Sequence, residues 1–282
     1  MRLQEHAASR GGLADSALVR AADNLTAVAR FVRKTLVIAE LEARKLRHDP
    51  TELFMRAVQP ALWLLVFGQV FTQTRAIPTG NLRYIDFMAP GILAQSTLFI
   101  AIFSGITIIW ERDLGIVHKF LASPTPRGAL VLGKAVSAGV RALPQAGIIY
   151  ILALLLGVRL NMNPLALAGT LITVVVGAAL FATFSLIIAC LVKTRERFMG
   201  IGQVMTMPLF FASNAIYPIA IMPPWLQVLA RVNPLSYQVD ALRALMLGEA
   251  SSMGIGLDLG VLVVAAAALV FIGSKLYPRV VV

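Results

Sequence analysis

Gly128, Gly133 and Lys134 stand in the stretch PRGALVLGKA with the G-x-x-x-x-G-K spacing of a phosphate-binding loop. In such a loop, backbone N–H groups freed by the glycines cradle phosphate, the lysine reaches the terminal phosphates, and a following Ser or Thr hydroxyl ligates magnesium. Here the following residue is Ala135, and the glycines enclose the apolar run Ala129, Leu130, Val131 and Leu132. No strand signal precedes them. The magnesium ligand and the supporting sheet are both missing, so the spacing predicts no nucleotide site in this chain. Other reactive groups are sparse. His6, His48 and His118 are scattered without metal-ligand spacing, and the single cysteine, Cys190, lies in an apolar run. One cysteine makes no internal disulfide and implies no metal site. No Ser/His/Asp set is visible, and no pair of carboxylates falls in one apolar run.

The elements that hold these residues are apolar. The 282 residues are 58% hydrophobic and 14% charged, with a mean hydropathy of +0.80. A soluble domain carries about 25% charge. Several uncharged runs approach the ~20 residues that cross a bilayer as helix, so the expected class is an all-α polytopic membrane protein. The net charge is +11. In a soluble chain that excess would suggest nucleic acid. Here the basic residues flank the apolar runs, which the positive-inside rule explains, and no nucleic-acid partner is expected. The first ~50 residues are mixed and polar, without the short apolar core of a secretory signal.

Residues 1–17 form a polar tail. Over 18–50 a stripe of Leu18, Leu25, Val32, Leu36, Ala39, Ala43 and Leu46 is faced by Arg30, Arg33, Lys34, Glu40, Arg44, Lys45 and Arg47. This is an amphipathic basic helix suited to the headgroup region or to packing on a cytoplasmic partner. Residues 51–282 read as six spans, roughly Arg56–Thr74, Phe87–Trp110, Ala135–Val158, Leu165–Val192, Met199–Tyr217 and Leu257–Leu276. Between the last two, Pro218, Pro223, Pro224 and Pro234 interrupt a segment too apolar for a free loop. Residues 218–247 are expected to be short re-entrant helices at the outer surface, with Trp225, Leu226, Val228 and Leu229 on the apolar side. With both termini cytoplasmic, nineteen lysines and arginines fall inside and five outside, and Arg141 is in the membrane. That asymmetry sets the orientation as N-in and C-in.

The charged segment 111–128 then lies on the cytoplasmic side between spans two and three. It offers Glu111, Arg112 and Asp113, a break at Gly115, a short helix with apolar Ile116, Val117, Phe120 and Leu121, a stop at Ser123-Pro124, and a restart at Pro126, Arg127 and Gly128. Such a helix suits docking to a cytoplasmic partner. The plainer alternative is a connecting turn whose charges enforce topology; the pattern alone leaves both open.

The run YIDFMAPGILAQSTLFIAIFSGITIIWERDLGIVHKFLASPTPRGALVLGK resembles the membrane subunits of type-2 ATP-binding-cassette exporters, most closely the branch of daunorubicin-type drug-resistance and nodulation-factor permeases. A second stretch, YPIAIMPPWLQVLARVNPLSYQVDALR, resembles the outer segment of the same family. The likeness runs from about Leu36 to the end. It implies that the basic helix is an interface helix leading into span one. It implies that Glu111, Arg112, Asp113, Gly115, Phe120, Leu121, Ser123, Pro124 and Arg127 belong to a helix that docks in a groove of a separate ATPase. Relatives often carry Glu where this chain has Asp113. Pro223, Pro224, Asn233, Pro234, Asp240 and Arg243 correspond to the outer motif. The resemblance further implies two permease subunits, identical or closely paralogous, and two ATPase subunits, with ATP and magnesium held by the ATPases and no cofactor held by this chain. The expected setting is the cytoplasmic (inner) membrane of a prokaryote. The expected function is the translocation pathway for a hydrophobic or amphipathic substrate, such as a drug, lipid or glycolipid.

Gln59, Gln69, Gln95, Ser96, Thr97, Gln145 and Gln203 are polar groups within the spans. They either line a path, with Gln95, Ser96, Thr97 and Gln203 as its candidates, or hydrogen-bond helices together. Arg141 lies about 10 Å of helix beyond Lys134, and snorkelling to the inner interface is the favoured reading. A different class, an ion-gradient-driven secondary transporter or channel, expects carboxylates near the membrane centre. Asp86 and Asp258 instead sit at span ends. A lipid-transferring enzyme expects acidic residues and histidines clustered at one interface, where this chain is mainly basic.

Overall fold

The computed structural model describes Val37 and residues 58–75, 77–122 and 126–280. The basic helix expected over 18–50 lies outside the described residues apart from Val37, as do Ser123, Pro124 and the side chain of Leu121. Every regular element among the described residues is helical. We number them α1 (58–74), α2 (Tyr84–Asp113), α3 (Ile116–Ala122), α4 (Arg127–Leu155), α5 (Pro164–Leu191), α6 (Arg195–Phe211), α7 (Pro224–Val232), α8 (Pro234–Leu247) and α9 (Ile255–Leu276). Short 3₁₀ turns occupy Ile219–Ile221 and Tyr277–Val280.

Four of these, α2, α4, α5 and α9, are long and apolar enough to cross a membrane. The sequence had suggested six spans. The described part of α1 covers 58–74, and its centre, Trp63–Gly68, is π-helical. Helix α6 has 17 residues and starts four residues earlier than expected, because the Thr194 hydroxyl caps the Arg197 N–H at 3.3 Å. Its first turn is therefore charged, and it stops at Phe211 rather than Tyr217.

Helix α5 is apolar all round, as expected of a helix enclosed by others. It packs against α2, α4, α8 and α9 and forms the centre of the bundle. Helix α2 runs through Pro90, which has no N–H to give the Asp86 carbonyl. Gly91 follows it. A Cβ there would lie 2.3 Å from the Ala215 carbonyl oxygen, so the backbone after α6 reaches α2 only because residue 91 is glycine.

Chain ends sort into two layers. Contacts described below join the end of α2 to the starts of α4 and α6 and to the end of α5. Tyr277 and Val280, beyond α9, pack there with Ile109, Val117, Leu130 and Cys190. At the opposite end, the start of α2, the ends of α4 and α6, and helices α7 and α8 meet. Of the lysines and arginines with described positions, nine belong to the first end and five to the second.

Candidate functional site

The last turn of α2 carries the charges that the sequence singled out. Glu111 pairs with Lys134 of α4, and both side chains are largely enclosed, at 13% and 11% exposure. Asp113 accepts two hydrogen bonds from Arg195 of α6, at 2.8 and 3.1 Å, on one carboxylate oxygen. Its other oxygen takes Arg112 Nη2 at 3.0 Å. Arg112 also donates to the carbonyls of Lys193, at 2.7 Å, and Val192, at 3.4 Å. Those carbonyls lie just beyond the end of α5, where the helix dipole favours a cation. The Arg195 guanidinium lies 5.5 Å from the Trp110 ring centre. One turn of α2 thus fastens α4, α5 and α6. The partner of Glu111 is Lys134, on the helix that follows the charged segment.

Lys134 is the lysine of the G-x-x-x-x-G-K spacing. Gly128 and Gly133 lie within the continuous helix Arg127–Leu155, so the spacing is carried by helical turns and not by a loop.

Beyond the junction, Gly115 takes φ +71°, a left-handed value that glycine adopts without strain. The chain there leaves α2 for α3. Val117 is fully buried, and Phe120 packs against the same cluster as Tyr277 and Ile109. His118 and Lys119 are exposed, as are Arg127 and Leu114, the last at 72%. Helix α3 is therefore anchored on one side by two of its apolar residues and open on the other. Arg141 is half-buried in α4.

The outer motif is a set of ties. Asn233 ends α7 and caps α8, accepting the Leu235 N–H at 3.0 Å. Its amide donates to the carbonyls of Leu209, at 2.7 Å, and Ala212, at 2.9 Å, which close α6. Pro224 and Pro234 each open a helix, and Pro223 precedes the first as its N-cap residue. Arg243 is buried, donates to the Asn214 carbonyl at 2.8 Å and lies 3.8 Å over the Phe87 ring. Burial lowers its pKa to about 10, against the pull of Asp240, so it is charged at neutral pH. Asp240 accepts from Met253 N–H and from Ser251 Oγ, both at 3.0 Å. The same hydroxyl is 2.7 Å from Asp258 of α9. Helix α7 turns Trp225, Val228, Leu229 and Val232 outward as one apolar stripe.

A cavity of about 330 Å³ opens between α1, α2 and α4, lined by Gln59, Pro60, Gln95, Ser96, Phe99, Ile100, Phe103 and Gln145. Gln95 and Gln145 are each 2% exposed. Gln95 Oε1 and both amide atoms of Gln145 have no hydrogen-bond partner among the described residues. An unpaired buried polar group costs about 1–3 kcal/mol. Of the four path candidates, the cavity brings Gln95 and Ser96 together. Thr97 is bonded to the Leu93 carbonyl within α2, and Gln203 is exposed on α6.

Sequence reasoning passed over Lys134 and Arg195 as site residues. Each had a signal: Lys134 completes the glycine spacing, and Arg195 sits in the basic stretch KTRERF between the fourth and fifth expected spans. Ser251 carried no signal, because its two partners, 11 and 7 residues away, lie on different helices and share no spacing motif with it.

The family model for the ABC-2 type transporter matches residues 33–247. The chain is 28% identical over 220 residues to a protein of Cyanophora paradoxa described as transport permease ycf38, covering 76% of this chain and 74% of that one. It is 26% identical over 240 residues to the daunorubicin resistance ABC transporter permease protein DrrB1 of Streptomyces coeruleorubidus, covering 83% and 84%. It is 26% identical over 201 residues to nodulation protein J of Rhizobium meliloti (strain 1021), covering 71% and 75%. The alignment spans both stretches that carry the resemblance and the greater part of the helical bundle, and the chain belongs to the ABC-2 type transporter family of membrane permeases.

Proposed function

We propose that the chain is the membrane subunit of an ATP-driven exporter and forms, with a second identical or paralogous copy, the path for a hydrophobic or amphipathic substrate. Two copies of a separate ATPase bind ATP and magnesium; this chain binds neither. The chain crosses the inner membrane of a prokaryote six times, with α1 and α6 as the shorter spans and both termini in the cytoplasm. The greater number of basic residues at the end that holds α3 supports that orientation.

The observation that carries the reading is the junction at the end of α2. Glu111–Lys134, Asp113–Arg195 and the bonds from Arg112 to the Val192 and Lys193 carbonyls tie α2, α4, α6 and the end of α5 together, and α3 projects from that junction with an open side. A push on α3 is then delivered to α2, α4, α5 and α6 together. A flexible turn would dissipate it. The drug and nodulation relatives support an amphipathic substrate.

An ion-gradient mechanism finds less support. In the described long helices, the acidic residues are Asp86, Glu111, Asp113 and Asp258, all in end turns. Inside-out vesicles containing the permease and its ATPase test the point. ATP-dependent accumulation of substrate that survives a protonophore and a sodium ionophore is expected. Accumulation that needs the gradient, or that proceeds without the ATPase, overturns the proposal.

A further inference from the structure

We infer that the cavity between α1, α2 and α4 receives an uncharged head group rich in hydroxyl or amide groups, and that this chemistry selects the exported substrate. The inference rests on the exporter reading above and names the substrate class. Gln145 offers both a donor and an acceptor, and Gln95 an acceptor, with no protein partner among the described residues. Ser96 spends its proton on the Ile92 carbonyl at 2.9 Å and keeps lone pairs for a donor. A ligand that both donates and accepts at short intervals, as sugar hydroxyls or amides do, satisfies all three.

Charge is the discriminating property. No Asp, Glu, Lys or Arg is among the described residues that line the cavity. An ammonium or a phosphate placed there loses hydration and gains no counter-ion from those described lining residues, and that penalty far exceeds the loss for a neutral polar group. The rings of Phe99 and Phe103 stack at 6.1 Å and form an apolar wall for the C–H face of a ring. The volume of about 330 Å³ is at the small end of ligand pockets. It holds a head group, and the apolar remainder of the substrate stays outside.

The test uses the complex of permease and ATPase in nanodiscs with three probes of equal chain length: decyl maltoside, decyl phosphate and decyltrimethylammonium. ATPase stimulation is read for each, together with direct binding of radiolabelled decyl maltoside without ATP. Decyl maltoside should act at the lowest concentration. Gln145→Leu should raise its half-maximal concentration by about five- to tenfold, the loss of one or two hydrogen bonds. Gln145→Glu, of nearly the same shape, should shift the preference to decyltrimethylammonium. Val264→Ala, exposed on α9, should change nothing. Equal responses to the three probes, or an unchanged preference in both Gln145 variants, overturn the inference. A complex that hydrolyses no ATP counts against the exporter reading alone, because probe binding remains measurable and decides the inference separately.

Discussion

Glu111, in the last turn of α2, is paired with Lys134, two turns into α4, and neither side chain is more than 13% exposed. The lysine that completes a nucleotide-loop spacing thus holds two helices together. Lys134→Ala should leave nucleotide affinity of the complex unchanged and destabilise the permease by about 2 kcal/mol, between the values for exposed and buried pairs. Isothermal nucleotide titration and thermal melting in detergent check the two halves. The double exchange Glu111→Lys with Lys134→Glu should recover part of the loss. Nucleotide binding by the isolated chain that disappears in Lys134→Ala would mean that the helix opens into a loop.

Asn233 joins two helix ends with one side chain. Replacement by alanine removes the cap of α8 and two bonds to the end of α6. The expected loss is about 2–3 kcal/mol, a cap plus the desolvated carbonyls it leaves. Asn233→Asp keeps the cap but sets a buried carboxylate oxygen against the Leu209 and Ala212 carbonyls, so it should melt at or below the alanine variant. Equal melting for all three would show that water replaces the amide at no cost.

The fold class was legible because apolar run length has one physical reading in a chain with so little charge. Pro234 and Gly115 announced a helix start and a break, and the chain has both there. Span limits were less legible. Thr194 draws three charged residues into the first turn of α6, which hydropathy alone assigns to a loop. The junction was half legible. Glu111, Arg112 and Asp113 stood out as a charge run, but their partners Lys134, Val192, Lys193 and Arg195 are brought to them only by helix packing. For Phe120, composition suggested an apolar contact and could not say whether it points to this chain or to a partner. The outer residues were visible as a motif, and their hydrogen bonds were not, because Asn233 and Arg243 act on carbonyls, which have no sequence signature.

Ser251 stands between two buried carboxylates, Asp240 and Asp258. It also accepts the Gly254 N–H at 2.7 Å. Its single proton serves one carboxylate fully. Asp258→Asn adds an N–H that can donate to the Ser251 oxygen, releases that proton for Asp240 and removes a like charge. This variant should melt at or above the parental temperature. Ser251→Ala should lower stability by about 1–3 kcal/mol, because it removes the one hydroxyl donor that the two carboxylates share. Opposite ranking of the two variants in thermal melts would contradict this account.

The last prediction concerns α3 and Leu114, which closes α2 just before it; their buried and exposed side chains should respond differently to substitution. Val117 is fully buried against Ile109, Leu130 and Tyr277. Val117→Ala should destabilise the permease by about 1–2 kcal/mol, the lower part of the range for removing buried methyl groups. Leu114 and Lys119 face outward, so Leu114→Ala and Lys119→Glu should insert and melt like the parent. If α3 docks in an acidic or mixed groove of the ATPase, their effect appears in the complex. Burying a leucine contributes about 1.5–3 kcal/mol, so Leu114→Ala should weaken ATPase association by roughly ten- to a hundredfold. Lys119→Glu should add a dependence on salt, as rim charges do. Both should lose substrate-stimulated hydrolysis while the ATPase keeps its own basal rate. Glu111→Ala should also lose stimulation, but through the permease, with a lower melting temperature and ATPase association less affected than in Leu114→Ala. Association is read by analytical ultracentrifugation and hydrolysis by phosphate release. If Leu114→Ala and Lys119→Glu both assemble and respond to substrate at the parental level, α3 is a topological turn and the force between the subunits passes elsewhere.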